Sequence, residues 1–499
     1  MVNGMSAAVS YAARSLAGPR SDAIASGLIV ALGAAFLFAI AAFSSAVLGD
    51  GDTWSHIATG EWIFAHGAVP RSDPFSHSMP HAPWVAHEWF SEILLTLAYR
   101  FAGWSGVALL TACAAGSAAL IMGLRVAREL SGGALAVTLM LGLGLWTANL
   151  LARPHVLALP LLALWAVGLM QARDRRAPPP IWLALLMIPW ANMHGGFVFG
   201  LALIGPFALE AAEAAPGDRL ETITHWTLFG LAALAAALIN PYGVEALLFP
   251  FRLMAIANLS HISEWEPTEF SHIGPFEIAL LALIGFALIR PAPTPPVRAA
   301  LVVLLIAMAL GHVRHAQLLG LLGPMLLAGS VAAAVAAPCP SEAERRQARR
   351  VASVAALAAA LAISAVRVAA PVGRADGHGA PISALAAVPA ELKDKPVLND
   401  YGFGGYLIFS GVKPFIDGRA DMFGDAMLGL YRKLAEGDAE AIEDTVKRYR
   451  IAWTIFSPDA RIVTVLDHEP GWRRLYADRI AVVHVRDAVA GPSVELRGD

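Results

Sequence analysis

A polar run directly after the first apolar stretch holds the residues best suited to chemistry. Gly49-Asp50-Gly51-Asp52-Thr53-Trp54-Ser55-His56 sets two carboxylates two positions apart, with an imidazole four positions beyond the second. Asp52 can take the proton of an attacking hydroxyl. Asp50 and Asp52 together can instead hold a divalent cation, magnesium or manganese, through oxygen ligands. The plainer alternative is that Asp52 caps a helix running from Thr53 through Phe64. That helix also puts Asp52 and His56 one turn apart on one face. Further on, Arg71-Ser72-Asp73-Pro74-Phe75-Ser76 and Trp84-Val85-Ala86-His87-Glu88-Trp89 extend the polar stretch. Asp50, Asp52, His56, His87 and Glu88 form the candidate catalytic set.

Other polar groups recur at the ends of apolar runs. Arg153-Pro154-His155, Asn192-Met193-His194-Gly195-Gly196, Asn240-Pro241-Tyr242-Gly243, Glu264-Trp265-Glu266-Pro267 and the trio His312, Arg314 and His315 are the chief ones. Arg314, flanked by histidines near a membrane surface, suits a phosphate, although a snorkelling arginine has the same sequence signature. Asn-Pro-Tyr-Gly reads as a turn. Arg153, His155, His194, His312, Arg314 and His315 are the candidates for substrate contact in this part of the chain.

The elements that carry these groups follow from composition. The chain has 499 residues, 57% hydrophobic and 15% charged, with a mean hydropathy of +0.59. Soluble domains carry about 25% charged residues, so this chain's solvent is lipid. The net charge of -3 gives no sign of a nucleic-acid partner, and the two cysteines, Cys113 and Cys339, imply neither a disulfide framework nor zinc-ligand spacing. Arg14 and Arg20 precede an apolar run nearer a spanning helix of about 20 residues than a signal core of roughly 7–15.

Eleven spans are expected, at 25–48, 104–124, 133–150, 154–171, 181–193, 195–213, 225–240, 276–290, 298–311, 316–336 and 350–368. The 181–193 and 195–213 runs read equally as one broken or re-entrant element. With the N-terminus inside and the spans alternating, fourteen arginines fall inside and five fall outside before the tail, as the positive-inside rule demands. This parity puts eleven histidines, His261 among them, on the outer side and only His225 inside, so a working site is expected outside. It also makes 49–103 a large first outer loop and places everything after 368 outside.

That tail differs in kind: it holds every lysine of the chain. After a Gly-, Ala- and Pro-rich linker at 369–383, residues 384–499 read as a small α/β domain. Val397–Asn399, Lys413–Ile416, Ile451–Phe456 and Ile480–Val485 are the expected strands, with Gly424 as a turn residue and helix over 425–449. If Val397–Asn399 and Pro414–Ile416 pair in parallel, both following loops emerge at one edge, although the intervening segment is short for such a crossover. Asp417 and Arg419 then either contact substrate or tie loops together as an ion pair.

The acidic motif after the first span, the many spans and the outer C-terminal domain together resemble the GT-C superfamily of membrane glycosyltransferases. The resemblance implies a bacterial inner-membrane enzyme with a polyprenyl-phosphate-linked sugar donor and an essential aspartate in the first outer loop, here Asp52 or else Asp50, with Arg314 on the lipid phosphate. Asn399-Asp400-Tyr401-Gly402, followed by Asp417-Gly418-Arg419-Ala420-Asp421, is similar to the Trp-Trp-Asp-Tyr-Gly region of oligosaccharyltransferase catalytic subunits, with Leu398 and Asn399 in place of the tryptophans. The fold expected is thus an α-helical polytopic membrane protein, GT-C-like, with a small extracytoplasmic α/β domain. The rival readings are a non-catalytic envelope scaffold and a transporter. A transporter predicts mid-span charges and internal repeats, and neither is evident.

Overall fold

The structure, a computed structural model, describes residues 19–258 and 265–487; Arg14, His261 and Glu264 lie outside the described residues. Every expected apolar run coincides with helix: Pro19–Phe43, the second half of Trp89–Val126, Gly132–Gly144, Pro154–Asp174, Ile181–Ala184 with Met187–Met193, Phe197–Glu213, Arg219–Ala237, Pro275–Ile289, Pro296–Gly311, Ala316–Ala334 and Glu342–Ala369. Among the described residues, five helices are long and apolar enough to cross a membrane by length and composition, and four further apolar helices are shorter. The chain is a mostly helical, multi-pass membrane protein with a small C-terminal sheet.

Local sequence explains the boundaries. Pro154, Pro275 and Pro296 each open a helix, where a missing N–H costs nothing. Ser341 and Glu344 form a reciprocal capping box, with Glu344 N–H donating to Ser341 Oγ at 3.3 Å and Ser341 N–H to Glu344 Oε2 at 2.7 Å. Gly103, at φ 56°, breaks Trp89–Val126. The part before the break therefore continues the polar stretch that follows the first apolar helix, and the part after it joins the bundle. The 181–213 stretch is broken twice, between Ala184 and Met187 and again at His194-Gly195-Gly196. The Glu342–Ala369 helix packs along Pro19–Phe43, and Trp146, Trp165 and Trp190 fill the bundle core.

The tail forms a four-stranded sheet of order β1-β2-β4-β3, from β1 (Val397–Asn399), β2 (Trp453–Phe456), β3 (Trp472–Ala477) and β4 (Val482–Arg486). Strands β1 and β2 run parallel and the other pairs antiparallel. Helices Ala420–Ala435 and Ala439–Arg448 lie in the β1–β2 crossover.

Two expectations are corrected here. Lys413–Ile416 is not a strand, and β1 pairs with β2 rather than with Pro414–Ile416. The reason lies in its hydrogen bonds. Asn399 Oδ1 accepts from Phe415 N–H at 2.7 Å, Asn399 Nδ2 donates to the Ile416 carbonyl at 2.8 Å, and Ser78 Oγ donates to the Phe415 carbonyl at 2.5 Å. Side chains satisfy this buried backbone where a ladder would otherwise be needed. Strand β3 was not among the expected strands; it is an edge strand, where charged residues such as Arg473 and Arg474 are tolerated. Gly424 is a turn at φ 68°, inside the Ala420–Ala435 stretch.

Candidate active site between the Asp50–Asp52 motif and the tail

The Asp50–Asp52 motif sits where three segments meet. Thr53 Oγ1 donates to the Ala152 carbonyl at 3.1 Å, and Ala152 N–H to the Val47 carbonyl at 2.8 Å. These bonds bring the start of the Pro154–Asp174 helix against the motif. Arg153 then reaches both carboxylates: its Nε and Nη2 contact Asp50, the latter at 2.8 Å from Oδ1, and Nη2 lies 2.8 Å from Asp52 Oδ2. Asp50 Oδ1 also accepts from Asp52 N–H at 3.1 Å. The helix runs Asp52–His66, and its N-cap is Gly51 without a side-chain bond. Asp52 is thus in the first turn and its carboxylate is turned to Arg153, so it does not serve as the cap. The Asp52 side chain is 24% exposed.

One turn further, His56 enters a carboxylate–imidazole cluster. Its Nδ1 lies 3.3 Å from Glu92 Oε1 and its Nε2 4.0 Å from Glu88 Oε2. His87 Nε2 and His194 Nε2 approach Glu88 Oε1 at 3.6 and 3.8 Å. Secondary contacts fix the ring orientations. His87 Nδ1 meets the Val85 carbonyl at 3.3 Å, which leaves Nε2 as the acceptor facing Glu88. His194 Nδ1 accepts from Gly196 N–H at 3.0 Å, which leaves Nε2–H aimed at Glu88. Asn192, bonded to Trp89 Nε1 at 2.7 Å and to the Ile188 and Ile239 carbonyls, holds the turn that carries His194.

The electrostatics follow from this burial. Burial pushes the Glu88 carboxyl up to about 8, with His56 and Arg314 opposing and Glu92 and Asp421 assisting. Burial alone would lower His56; its bond to Glu92 and the charges of Glu88, Glu92 and Asp52 outweigh that and raise it to about 9. Burial lowers His87 to about 4, and lowers His194 with help from His155 and Arg314. Near neutral pH the cluster therefore keeps a proton on Glu88 and one on His56, with His87 a neutral acceptor. Groups poised to exchange protons near pH 7 mark functional sites.

The remaining candidates divide into two sets. Arg314 lies over the Trp265 ring at 4.4 Å, and His312 Nδ1 is 2.7 Å from the Trp265 carbonyl. The His312 and His315 rings are 5.4 Å apart, and the His155 ring is 6.1 Å from that of His194. Arg314 acts electrostatically on both Glu88 and His194, which places this set beside the cluster. Asp417 and Arg419 are buried. Arg419 bonds Asp417 at 2.7 and 2.6 Å and Asp73 Oδ1 at 2.7 Å, with its guanidinium over Trp84 at 4.7 Å. That geometry clasps the tail to the segment around Asp73. Between them, Gly418 lies against the Asp52 carboxylate.

Three groups went unassigned in the sequence. Glu92 follows Glu88 by four residues, a spacing that puts both on one helix face. Asp73 accepts from Phe75 and Ser76 N–H as well as from Arg419, and its Asp-Pro-Phe-Ser context already read as a loop. Burial raises Asp421 to about 7, against the pull of Arg419; it lies two residues beyond Arg419, at the start of a helix. Among the described residues no group of three or more His, Cys, Asp or Glu is arranged to hold a metal ion, and Arg153 already bridges Asp50 and Asp52.

No protein-family profile matches the chain, and no curated protein matches it by sequence. Solved structures do match. The archaeal oligosaccharyltransferase AglB from Archaeoglobus fulgidus, in complex with an inhibitory peptide and a dolichol-phosphate, superposes with a TM-score of 0.54 at 11% identity over 93% of this chain and 75% of that one. The apo form of the Archaeoglobus fulgidus oligosaccharyltransferase gives 0.50 at 12% identity, over 86% and 69%. Apo ArnT from Cupriavidus metallidurans gives 0.49 at 14%, over 93% and 98%. Over 93% of its length this chain therefore shares the fold of an archaeal oligosaccharyltransferase.

Proposed function

We propose that the chain transfers a sugar from a polyprenyl-phosphate-linked donor to an envelope acceptor on the outer face of a bacterial inner membrane. The observation that carries this reading is the convergence of Asp52, Arg153, His56 and Glu88 where the helical bundle meets the tail. The likeness to an oligosaccharyltransferase holding a dolichol-phosphate supports a lipid-linked donor. The excess of arginine on the opposite side supports the outer placement.

In this reading the acceptor oxygen attacks the anomeric carbon, and the bond from that carbon to the phosphate oxygen breaks. The electron pair leaves with the polyprenyl phosphate. Asp52, exposed enough to meet the acceptor, takes its proton. His56 and Glu88, one turn further into the site, already hold protons near neutral pH, and His87 beside Glu88 is the neutral acceptor of the cluster. Arg314 holds the donor phosphate, with Trp265 beneath it, and Arg153 orients Asp52. No divalent cation enters the reading, because Arg153 occupies the space between the two carboxylates that would bind it.

Asp52→Asn keeps the size of the side chain and removes the base. The variant should leave the protein at its normal level in the membrane while transfer falls about 10²–10⁴-fold. Mass spectrometry of lipid-linked sugars and envelope glycans should then match a deletion strain. Full complementation by Asp52→Asn would favour the scaffold reading, since a scaffold tolerates the change.

A further inference from the structure

The tail touches the Asp50–Asp52 motif through glycines that leave no room for a side chain. A Cβ built on Gly51 would overlap the Gly402 carbonyl, and one on Gly405 would overlap the Gly51 carbonyl. One on Gly418 would overlap Oδ1 of Asp52 and lie 2.7 Å from its Oδ2. The same carboxylate meets Arg153 Nη2, 2.8 Å from Oδ2. Asp52 therefore touches a guanidinium and a glycine backbone at once.

We propose that Gly418 is a positioning residue for Asp52, so that the docked tail, and not the first outer loop alone, sets where the reactive carboxylate points. Resting on the transfer reading above, this goes beyond it, because it makes the tail half of the active site. The loop that carries Gly418 is anchored on both flanks. Asp417 is fully buried and Arg419 nearly so, and Arg419 bonds both Asp417 and Asp73. On the inner side, a Cβ on Gly404 would overlap the Ile416 carbonyl and lie 2.5 Å from Cβ of Asp417, so the loop cannot retreat. The Asp52 carboxylate, by contrast, is the end of a short flexible side chain. A methyl group added at position 418 moves the softer partner. The carboxylate turns away from Arg153 while the clasp and the fold persist.

Gly418→Ala tests this, with Gly373→Ala as the control. Gly373 has open space around it and belongs to the linker. In a cryo-EM structure of the full-length Gly418→Ala protein, Asp52 should have left Arg153 while Arg419 still bonds Asp73. An Asp52 that keeps its bond to Arg153, with the 417–419 loop displaced instead, overturns the proposal. In the complemented deletion strain, Gly418→Ala should lose glycan transfer as far as Asp52→Asn does, at equal protein level, while Gly373→Ala complements. Full transfer by Gly418→Ala, where Asp52→Asn abolishes it, also overturns it. If Asp52→Asn itself complements, the transfer reading fails, and the cryo-EM comparison still decides the positioning claim.

Discussion

Removing the Arg419 side chain should undock the tail. The guanidinium makes two bonds to Asp417 and one to Asp73, at 2.6–2.7 Å, and lies over Trp84 and Phe75 at 4.7 and 5.2 Å. Both carboxylates are buried, Asp417 at 0% and Asp73 at 1% exposure. Arg419→Ala leaves these two charges without their cation. Breaking a buried pair by removing one partner costs about 3–5 kcal/mol, and the lost aromatic contacts add about 1 kcal/mol. A loss of that size is a large fraction of the roughly 5–15 kcal/mol that holds a domain folded. The assay is thermal unfolding in detergent with limited proteolysis of the 369–383 linker. Arg419→Ala should melt lower, expose the linker to cleavage and lose transfer. Arg419→Lys, which keeps the charge but not the two-point geometry, should fall between it and the unmodified protein. A thermally unchanged Arg419→Ala protein that no longer transfers sugar would refute the clasp and assign Arg419 to the acceptor. An unchanged, fully active one would remove it from both roles.

Glu88 carries a pH prediction. Its carboxyl is raised from 4.5 to about 8 by burial, so the folded state holds a proton that the unfolded chain releases, and stability falls as pH rises from about 4.5 to 8. His56, raised to about 9, adds a loss of the same sign between about 6.5 and 9, whereas His87, lowered to about 4, acts in the opposite direction between about 4 and 6.5. Melting curves of Glu88→Gln should be flatter with pH across 4.5–8; an unaltered slope would show that Glu88 does not hold the proton. Tyr242→Phe removes a hydroxyl that donates to the Pro70 carbonyl at 2.6 Å and accepts from Ala86 N–H at 3.0 Å. The orphaned N–H should cost about 1–3 kcal/mol, read as a lower melting temperature, and loosening the segment before His87 should slow transfer as well.

The helical part was legible because lipid imposes long apolar runs and admits little else, so each expected run meets a helix. The Asp50-Asp52 motif was legible because charged residues at a span end stand out against that background. What was not legible depends on partners distant in sequence. Arg153 comes to Asp52 from 101 positions further along the chain. Lys413–Ile416 has a strand's composition, but its hydrogen-bonding groups go to Asn399 and Ser78, and nothing local announces that. Strand β3 was hidden for the converse reason: at a sheet edge only one face needs apolar residues, and the charges of Arg473 and Arg474 obscured it. The Asp417–Arg419 pair looked equally suited to substrate or structure until Asp73 supplied the third member.

The opposite end of the bundle bears on what the molecule does not do. There Glu210 is shared by Arg298 at 3.0 Å and Arg173 at 2.8 Å, and Asp174 lies 3.4 Å from Arg125 and 3.8 Å from Arg298. These five groups tie together the ends of the Trp89–Val126, Pro154–Asp174 and Phe197–Glu213 helices and the start of Pro296–Gly311. Glu210, Arg125 and Arg298 are all buried. Alternating access would require this end to part, exposing apolar surface and separating buried charges at several kcal/mol each. A transferase that meets donor and acceptor on one side needs this end shut and rigid. The contrast with the end that carries Asp52 and Glu88 is chemical. Here each carboxylate is shared between guanidiniums that never lose their charge, whereas Glu88, raised by burial to about 8, faces three imidazoles at 3.6–4.0 Å. The first arrangement can only hold helices together, and the second can also move a proton.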